Sequence, residues 1–451
     1  MNSSSDGILS SQSVRDDFFS KRDYISEDFA KLEQEYLWPN IWQIACRAEE
    51  IPNPGDVINY DIADDSVMVL RNAEGELRAY FNACPHRGRR LISQGACVKQ
   101  IQCRFHGWRW NLEGQNVFVL DRHDWDGALR NEDIQLRKVH VAEWQGFVFI
   151  NMAEEPEPLE KFLDPINTLL DSFEFGKMNY RWYKTVRLNC NWKTVVEAFN
   201  EGYHVAQTHP QLLEYFNDYT YSRNFGRHSA FGYPAYPPVQ QSPRLDRDAP
   251  EDYRSLVLAY VEEFDKNLMA MVTPRAYEAA QRLRTEVSPE AGPEEVLGKW
   301  AQWTMETAEQ EGAGWPPVTP EVLEQSHADW HLFPNTVFLH GNVDGLLWYR
   351  ARPYGGDPNQ CLFDIWSFVR YAPGKQPPLQ REYYDNWRDY DGWGRILKQD
   401  FVNLEEVQRG MRVRSFKGSR TNPKQERAVS NFHRVLHQFI EEQIAKTSDR
   451  A

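Results

Sequence analysis

Two short stretches constrain this chain more than any others: CPHRG at 84–88 and CRFHGW at 103–108, which place Cys84-x-His86 sixteen residues ahead of Cys103-x2-His106. Two thiolates and two imidazoles on paired loops suit an iron–sulfur cluster in which histidines replace cysteines on one iron. Neutral imidazoles remove negative charge from that iron, so the cluster takes up an electron more readily than an all-cysteine one. Zinc also accepts two Cys and two His. Its fingers, however, usually group Cys with Cys and His with His, whereas each loop here offers one of each.

Composition narrows the rest. A chain of 451 residues has room for two or three domains. The start, MNSSSDGILSSQSVRDDFF, carries neither a basic n-region nor an apolar h-region. No apolar run approaches the ~18 residues that a membrane-spanning helix requires. Six cysteines in this length do not make a disulfide scaffold; Cys46, Cys97, Cys190 and Cys361 are expected as reduced core thiols of a cytoplasmic protein. A net charge of −15 argues against a nucleic-acid partner. The exception is local: Arg87, Arg89, Arg90, Lys99, Arg104 and Arg109 lie between Cys84 and Trp110 with no Asp or Glu among them. Such an island could receive an acidic electron carrier, or its arginines could pack against the loops.

Residues 1–16 are Ser-rich and read as loose, and Phe29, Leu32 and Tyr36 recur at helical spacing within 27–41. VINYDI, SVMVLR and ELRAYFN read as strands, with WQGFVFINM at 144–152 as one more. The acidic AEEPEPLEKF at 153–162 looks like a boundary. Residues 248–331 read as charged helices broken at VSPEAGPEE and GAGWPPVTPE, a cap or lobe over the core. A strand at 183–189 and the later TVFLH, GLLWYRAR and QCLFDIWSFVRY predict a mostly antiparallel sheet, on which a helical region at roughly 381–412 should pack.

A second constellation lies in NWKTVVEAFNEGYHVAQTHP at 191–210, where Glu201-x2-His204-x4-His209 sits on a helix predicted around 191–204. Two histidines and one carboxylate with open positions form the facial triad of non-haem Fe(II) oxygenases. Pro210 biases His209 away from the α region, so the helix can break there and turn the second ring toward the first. Taken alone, HxxxxH also describes two ordinary packed histidines. The third ligand must come from elsewhere. In RILKQDFVNLEEVQRGM at 395–411, Asp400 shares a helical face with Ile396, Leu397, Leu404 and Val407. A carboxylate there needs a partner, because an unpaired buried charge is costly. A metal is one such partner and an arginine the other; Glu201, Glu197 and Asp391 compete for the same role. Glu201 itself, three residues before His204, is suited to orienting that imidazole.

From GELRAYFNACPHRG through CRFHGWRWNLEG, residues 42–150 resemble the Rieske domain of the ring-hydroxylating oxygenases. The stretches at 191–210 and 395–411, the latter with Gln408-Arg409-Gly410, resemble the iron-binding helices of the catalytic (α) subunits of that family. The resemblance implies an α+β fold in which a Rieske β-sandwich (42–155) is inserted into a helix-grip catalytic domain (156–451) of antiparallel sheet plus long helix. An N-terminal segment (1–41) would pack with the catalytic domain, and 248–331 would be its cap. It implies a [2Fe–2S] cluster on Cys84, His86, Cys103 and His106, and a mononuclear Fe(II) on His204, His209 and Asp400. Glu201 would be the acid that passes electrons between His204 and the His106 of a neighbouring subunit in a head-to-tail trimer.

Respiratory Rieske proteins carry a further cysteine in each loop and a serine after the second His-Gly. Arg89, Phe105 and Trp108 stand in those places, which implies a potential toward the lower end of the roughly −150 to +300 mV range. The implied activity is O2- and NAD(P)H-dependent hydroxylation, with dioxygenation of an aromatic or polycyclic substrate as the first reading. Electrons would come through a ferredoxin, a flavin reductase or both, with or without a small β subunit. Demethylation of a quaternary amine or methyl ether is the alternative. Many family members have Asp where this chain has Glu201, and similar glutamates occur in the quaternary-ammonium oxygenases. An electron-transfer iron–sulfur protein without oxygenase activity is the remaining one. Phe199, Val205, Gln207 and the segment 331–340 are the expected pocket walls.

Overall fold

The computed structural model describes residues 9–234, 238–248 and 250–450. Residues 32–164 form one compact unit, and the chain before 32 and after 164 forms another, so the first is an insertion within the second.

The inserted unit is built on β-sheets. Its strands are β1 (Gln43–Arg47), β2 (Asp56–Ile62), β3 (Asp65–Arg71), β4 (Leu77–Phe81), β5 (Ala96–Cys97), β6 (Ile101–Gln102), β7 (Arg109–Trp110), β8 (Asn116–Phe118), β9 (Lys138–Trp144) and β10 (Phe147–Asn151). Seven form one sheet in the order β1-β10-β9-β4-β3-β2-β5, and β6-β7-β8 form a second. Of the stretch 144–152, expected as a last strand, Phe147–Asn151 is β10, and Gln145–Gly146 before it is the turn of a hairpin with β9. Gln145 (φ 50°) and Gly146 (φ 77°) are both left-handed there, which suits a two-residue turn whose twist matches the flanking strands. Met68, Tyr80, Trp108 and Trp110 pack in one buried core with Cys84 and Cys103, so the loops that carry the thiols are anchored from behind.

The larger unit is an eight-stranded sheet backed by helices. In chain order its strands are β11 (Asn179–Leu188), β12 (Tyr221–Phe225), β13 (His228–Gly232), β14 (Asp329–Leu332), β15 (Thr336–Asn342), β16 (Gly345–Tyr354), β17 (Asp357–Val369) and β18 (Arg381–Tyr384). They lie in the order β12-β13-β14-β15-β16-β17-β11-β18. Every pairing is antiparallel except β11 with β18. Neighbouring strands β13 and β14 are separated in sequence by a helical excursion, α3 (Arg254–Asn267), α4 (Pro274–Glu286) and α5 (Pro293–Gln310). Before it come the short helices α1 (Trp192–Phe199) and α2 (Val205–Thr208), and after the sheet come α6 (Gly394–Met411) and α7 (Arg427–Arg450).

Three expectations change here. The helix predicted over 191–204 stops at Phe199. The one predicted from 381 begins only at Gly394, because Arg381–Tyr384 alternates exposed and half-buried residues and pairs as an edge strand. Residues 9–14 are not loose. The Ser10 and Ser11 N–H groups donate to His437 Nδ1 (3.1 Å) and Glu441 Oε1 (2.9 Å) on α7, and Phe19–Ser20 pairs with Gly418–Ser419. Residues 1–8 lie outside the described residues.

Candidate metal centres

The two Cys–His loops of the inserted unit fold alike. Cys84 N–H donates to Arg89 O at 2.9 Å and Gly88 N–H to Cys84 O at 2.8 Å; Cys103 N–H donates to Trp108 O at 2.9 Å and Gly107 N–H to Cys103 O at 3.0 Å. Gly88 (φ 72°) and Gly107 (φ 74°) supply the left-handed residue that each turn requires. Both cysteines are buried, and burial raises the Cys84 thiol above its ordinary value, with Cys103 beside it adding to the effect. The two imidazoles are 4.6 Å apart between centroids, and His86 stacks on Trp108 at 4.7 Å. The Nδ1 atoms of His86 and His106 are buried without a hydrogen-bond partner among the described residues. Two orphaned nitrogens beside two buried thiols fit a cluster that takes two ligands of each kind.

In the larger unit, the second site begins at α1. Its N-terminus is capped by Asn191, whose side chain accepts from Lys193 N–H at 3.0 Å. The helix stops at Asn200, α2 restarts the chain after His204, and His209 leaves helical geometry (φ −123°, ψ 54°) ahead of Pro210. The break brings the rings together, with His204 and His209 5.4 Å apart between centroids. Asp400 reaches them from α6: its Oδ1 is 3.0 Å from His209 Nε2 and 3.8 Å from His204 Nε2. One ligand atom from each of the three lies within 4.8 Å of the others, a spread an iron ion can bridge.

The competing carboxylates are placed elsewhere. Glu197 accepts from His433 Nε2 (2.6 Å) and from Tyr24 OH (2.6 Å). Asp391 is fully exposed beside Lys398 at 3.3 Å. Glu201 lies on the far side of His204, with Oε1 2.6 Å from Nδ1, while Oε2 accepts from the Tyr203 and His204 N–H groups. Burial works against a charge on His204, but Glu201, with Asp400 behind it, outweighs this and lifts the imidazole to about 9. His209 has an equivalent clamp that the sequence reading missed: Gln399 Oε1 is 2.9 Å from its Nδ1. The only signal for it was adjacency to Asp400. Val407 is exposed rather than on the buried face of α6, where Phe401, Glu405 and Gln408 accompany Asp400.

A cavity opens onto these residues. Phe199, Val205, Phe216, Tyr260, Phe264 and Tyr349 are among its walls. Of the expected wall residues, Phe199, Val205 and Leu339 line it. Gln207 faces an outer groove instead, and His331 packs on Phe432. Elsewhere among the described residues, Asp23, His433 and His437 also converge, but as a hydrogen-bonded set: Asp23 Oδ2 lies 2.7 Å from His433 Nδ1 and 2.8 Å from His437 Nε2.

A sequence family described as the ring hydroxylating alpha subunit (catalytic domain) matches residues 175–442, more than half of the chain, and one described as the Rieske [2Fe–2S] domain matches 41–121. The chain belongs to the ring-hydroxylating oxygenase α subunits. Such an α subunit houses a Rieske [2Fe–2S] cluster and a mononuclear iron, and the two residue sets above are the groups that could hold them.

The glycine betaine monooxygenase oxygenase subunit of Pseudomonas aeruginosa (strain UCBPP-PA14) is 30% identical over 192 residues, 42% of this α subunit and 44% of that protein. The chain thus spans less than half the length of the curated relative it matches. A quaternary ammonium Rieske monooxygenase in complex with L-carnitine shares the fold with a TM-score of 0.64 at 18% identity, over 94% of this chain and 95% of that one. Naphthalene 1,2-dioxygenase from Rhodococcus sp. bound to indole does so at 0.62 and 19%, over 94% of each. No helix among the described residues is long and apolar enough to cross a membrane.

Proposed function

We propose that this α subunit is the oxygenase component of a multicomponent system and that it demethylates a compact quaternary amine or methyl ether. The observation that carries the reading is the size of the cavity, about 100 Å3 beside His204, His209 and Asp400. A cavity of roughly 150 Å3 accepts a benzene, so this one favours a methyl-bearing group over a polycycle. Glu201 and the likeness to glycine betaine monooxygenase support the same choice. Cys84, His86, Cys103 and His106 hold the cluster in this reading, and His204, His209 and Asp400 hold the iron.

When bound, the iron supplies the activation of O2. The chain's own residues do the rest. Gln399 and Glu201 fix the two imidazoles through their far nitrogens, which leaves both Nε2 atoms toward Asp400. Phe216, Tyr260 and Phe264 exclude water and press the substrate toward the three ligands. Glu201 links His204 to the His106 of a neighbouring copy in a homotrimer. One oxygen atom of O2 enters a methyl C–H bond and the other leaves as water. Two electrons come from NAD(P)H through a flavin reductase or ferredoxin, which docks on the basic island near the cluster. The hydroxymethyl group then departs as formaldehyde. The cytoplasm, where NAD(P)H and reduced thiols are both maintained, is the compartment this reading requires.

A second reading, dioxygenation of an arene, is favoured by the aromatic walls of the cavity. Turnover under 18O2 with a surrogate reductase separates the two. Demethylation sends one 18O into formaldehyde and the other into water and leaves the demethylated product unlabelled, whereas a diol with two labels and no formaldehyde from any methylated amine or ether would overturn our reading.

A further inference from the structure

Six aspartates of the larger unit are buried among the described residues: Asp23, Asp218, Asp329, Asp344, Asp364 and Asp400. Five have charged or imidazole partners. Asp23 meets His433 and His437, and Asp400 meets His209. Asp218 meets Arg244 at 2.6 Å, Asp344 meets Arg275 at 3.0 Å, and Asp364 meets Arg350 at 2.7 Å and Arg352 at 3.0 Å. Asp329 is the exception. It is 2% exposed, and its carboxyl has no hydrogen bond or ion pair among the described residues. Burial holds that carboxyl well above the usual carboxylate range.

Its position explains the exception. On β14, Asp329 stands opposite Phe231 of β13 and Leu339 of β15, and all three line the cavity that opens on the iron-site residues. No Lys or Arg is among the described residues lining that cavity. Its carboxyl and imidazole groups are Glu201, which is engaged with His204, the three iron-site residues, and Asp329, and its phenols are those of Tyr233, Tyr260 and Tyr349. Facing it are the rings of Phe216, Tyr260 and Phe264, which pack together with Tyr260 and Phe264 4.5 Å apart between centroids. An uncommitted carboxyl among aromatic faces is the combination that stabilises a quaternary ammonium: the rings attract the cation through their quadrupoles, and the bound cation favours the ionised carboxylate over the neutral acid that burial alone prefers.

We propose that Asp329 is the anionic anchor of the cavity, holding a cationic head group against Phe216, Tyr260 and Phe264 and so selecting a quaternary ammonium over a neutral ether. The inference rests on the demethylase reading for the fate of that substrate but not for its binding. Asp329 is a specificity-determining residue here, without a part in oxygen chemistry.

The test is equilibrium binding to the iron-loaded holoenzyme without reductant. The probes are choline and its neutral carbon isostere, 3,3-dimethylbutan-1-ol. The parent should bind choline at least roughly ten-fold more tightly than the isostere. Asp329→Asn should bring the two affinities to within about two-fold while leaving the isostere's own affinity unchanged, and Asp329→Glu should retain most of the preference. Asp329→Ser repeats the test with a smaller side chain, and the cluster spectrum and melting temperature report the fold of each variant. Equal affinities in the parent, or a preference that survives Asp329→Asn, would overturn the assignment. A carboxyl that merely donates a neutral hydrogen bond would give the second result. The parent comparison can overturn the assignment by itself, and support for Asp329 is read from whichever of Asp329→Asn and Asp329→Ser folds. Selective choline binding without O2-dependent product would remove the demethylase reading and keep Asp329. Demethylation of neutral ethers with no charge preference would do the reverse.

Discussion

Each imidazole of the proposed iron site is held, through the nitrogen turned away from Asp400, by another side chain, and the two holders differ in kind. Glu201 brings a charge to His204, while Gln399 brings an amide oxygen to His209. Gln399→Leu should therefore weaken iron binding by roughly 10–100-fold, read by competition with a chelator, with the cluster absorbance unchanged. Asp400→Ala should lose the iron outright and keep the same absorbance. Asp391→Ala, at an exposed position, should do neither, and the reverse pattern would reassign the third ligand. Glu201→Gln tests the bridge. The amide keeps the shape but not the charge, so reoxidation of a pre-reduced cluster in single-turnover stopped flow should slow while iron stays bound. The convergence of His204, His209 and Asp400 was legible in the sequence, from the histidine spacing ahead of Pro210 and from one carboxylate on an apolar helical face. Gln399 and Asp329 were not, because only the tertiary fold brings α6 to residue 209 and leaves one aspartate of β14 without a partner.

Among the elements, α7 is tied to the start of the chain by a buried chain of charges. Tyr24 donates to Glu197, His433 lies between Glu197 and Asp23, and His437 completes the set. Burial opposes the positive charge of His433, but Glu197 and Asp23 prevail and lift it to about 9. Its folded value therefore exceeds the ordinary 6.5. The stabilisation is complete below that ordinary value and is lost as pH rises through about 9. Melting temperature should accordingly fall between pH 7 and 10, and His433→Asn should flatten that part of the profile. Asp23→Asn breaks a fully buried set and should cost about 3 kcal/mol, measured by chemical denaturation.

The long strands β15, β16 and β17 were legible from their apolar runs and flanking turns. The short edge β18 and the pair β12–β13 were not, since four or five residues carry too little periodicity to outweigh a neighbouring helical pattern. Asp400's buried face was read correctly except at Val407, which is exposed.

At the scale of the whole molecule the acidic chain carries one acid-free run of basic residues beside the cluster motif, but the six there are not equivalent. Arg90 is tied to Asp61 at 2.7 Å, and Arg109 lies over Phe118 at 4.2 Å, whereas Lys99 and Arg104 are exposed. Lys99→Glu and Arg104→Glu should slow cluster reduction by the native donor more than Arg90→Glu does. The difference should vanish in high salt, where the screening length falls to roughly 3 Å at 1 M. Rates independent of ionic strength in the parent would remove the steering argument. An inserted unit was legible only through the family resemblance, which implied 42–155 where the compact unit spans 32–164. Which chain ends close the larger unit was not, because no local pattern encodes a contact between residues 11 and 441.

That closure sets an order of assembly during synthesis. Ser10 and Ser11 bond to side chains 427 and 430 positions later. At roughly 5–20 residues per second, the ribosome takes roughly 20–85 s to travel that far. All four cluster residues have left it long before Asp400 exists. A nascent chain arrested ahead of residue 394 should already be able to turn red-brown while lacking the acid that completes the second site. The electron store can thus be furnished first and the oxygen-handling iron last, so that no redox-active iron stands open to solvent on an unfinished polypeptide.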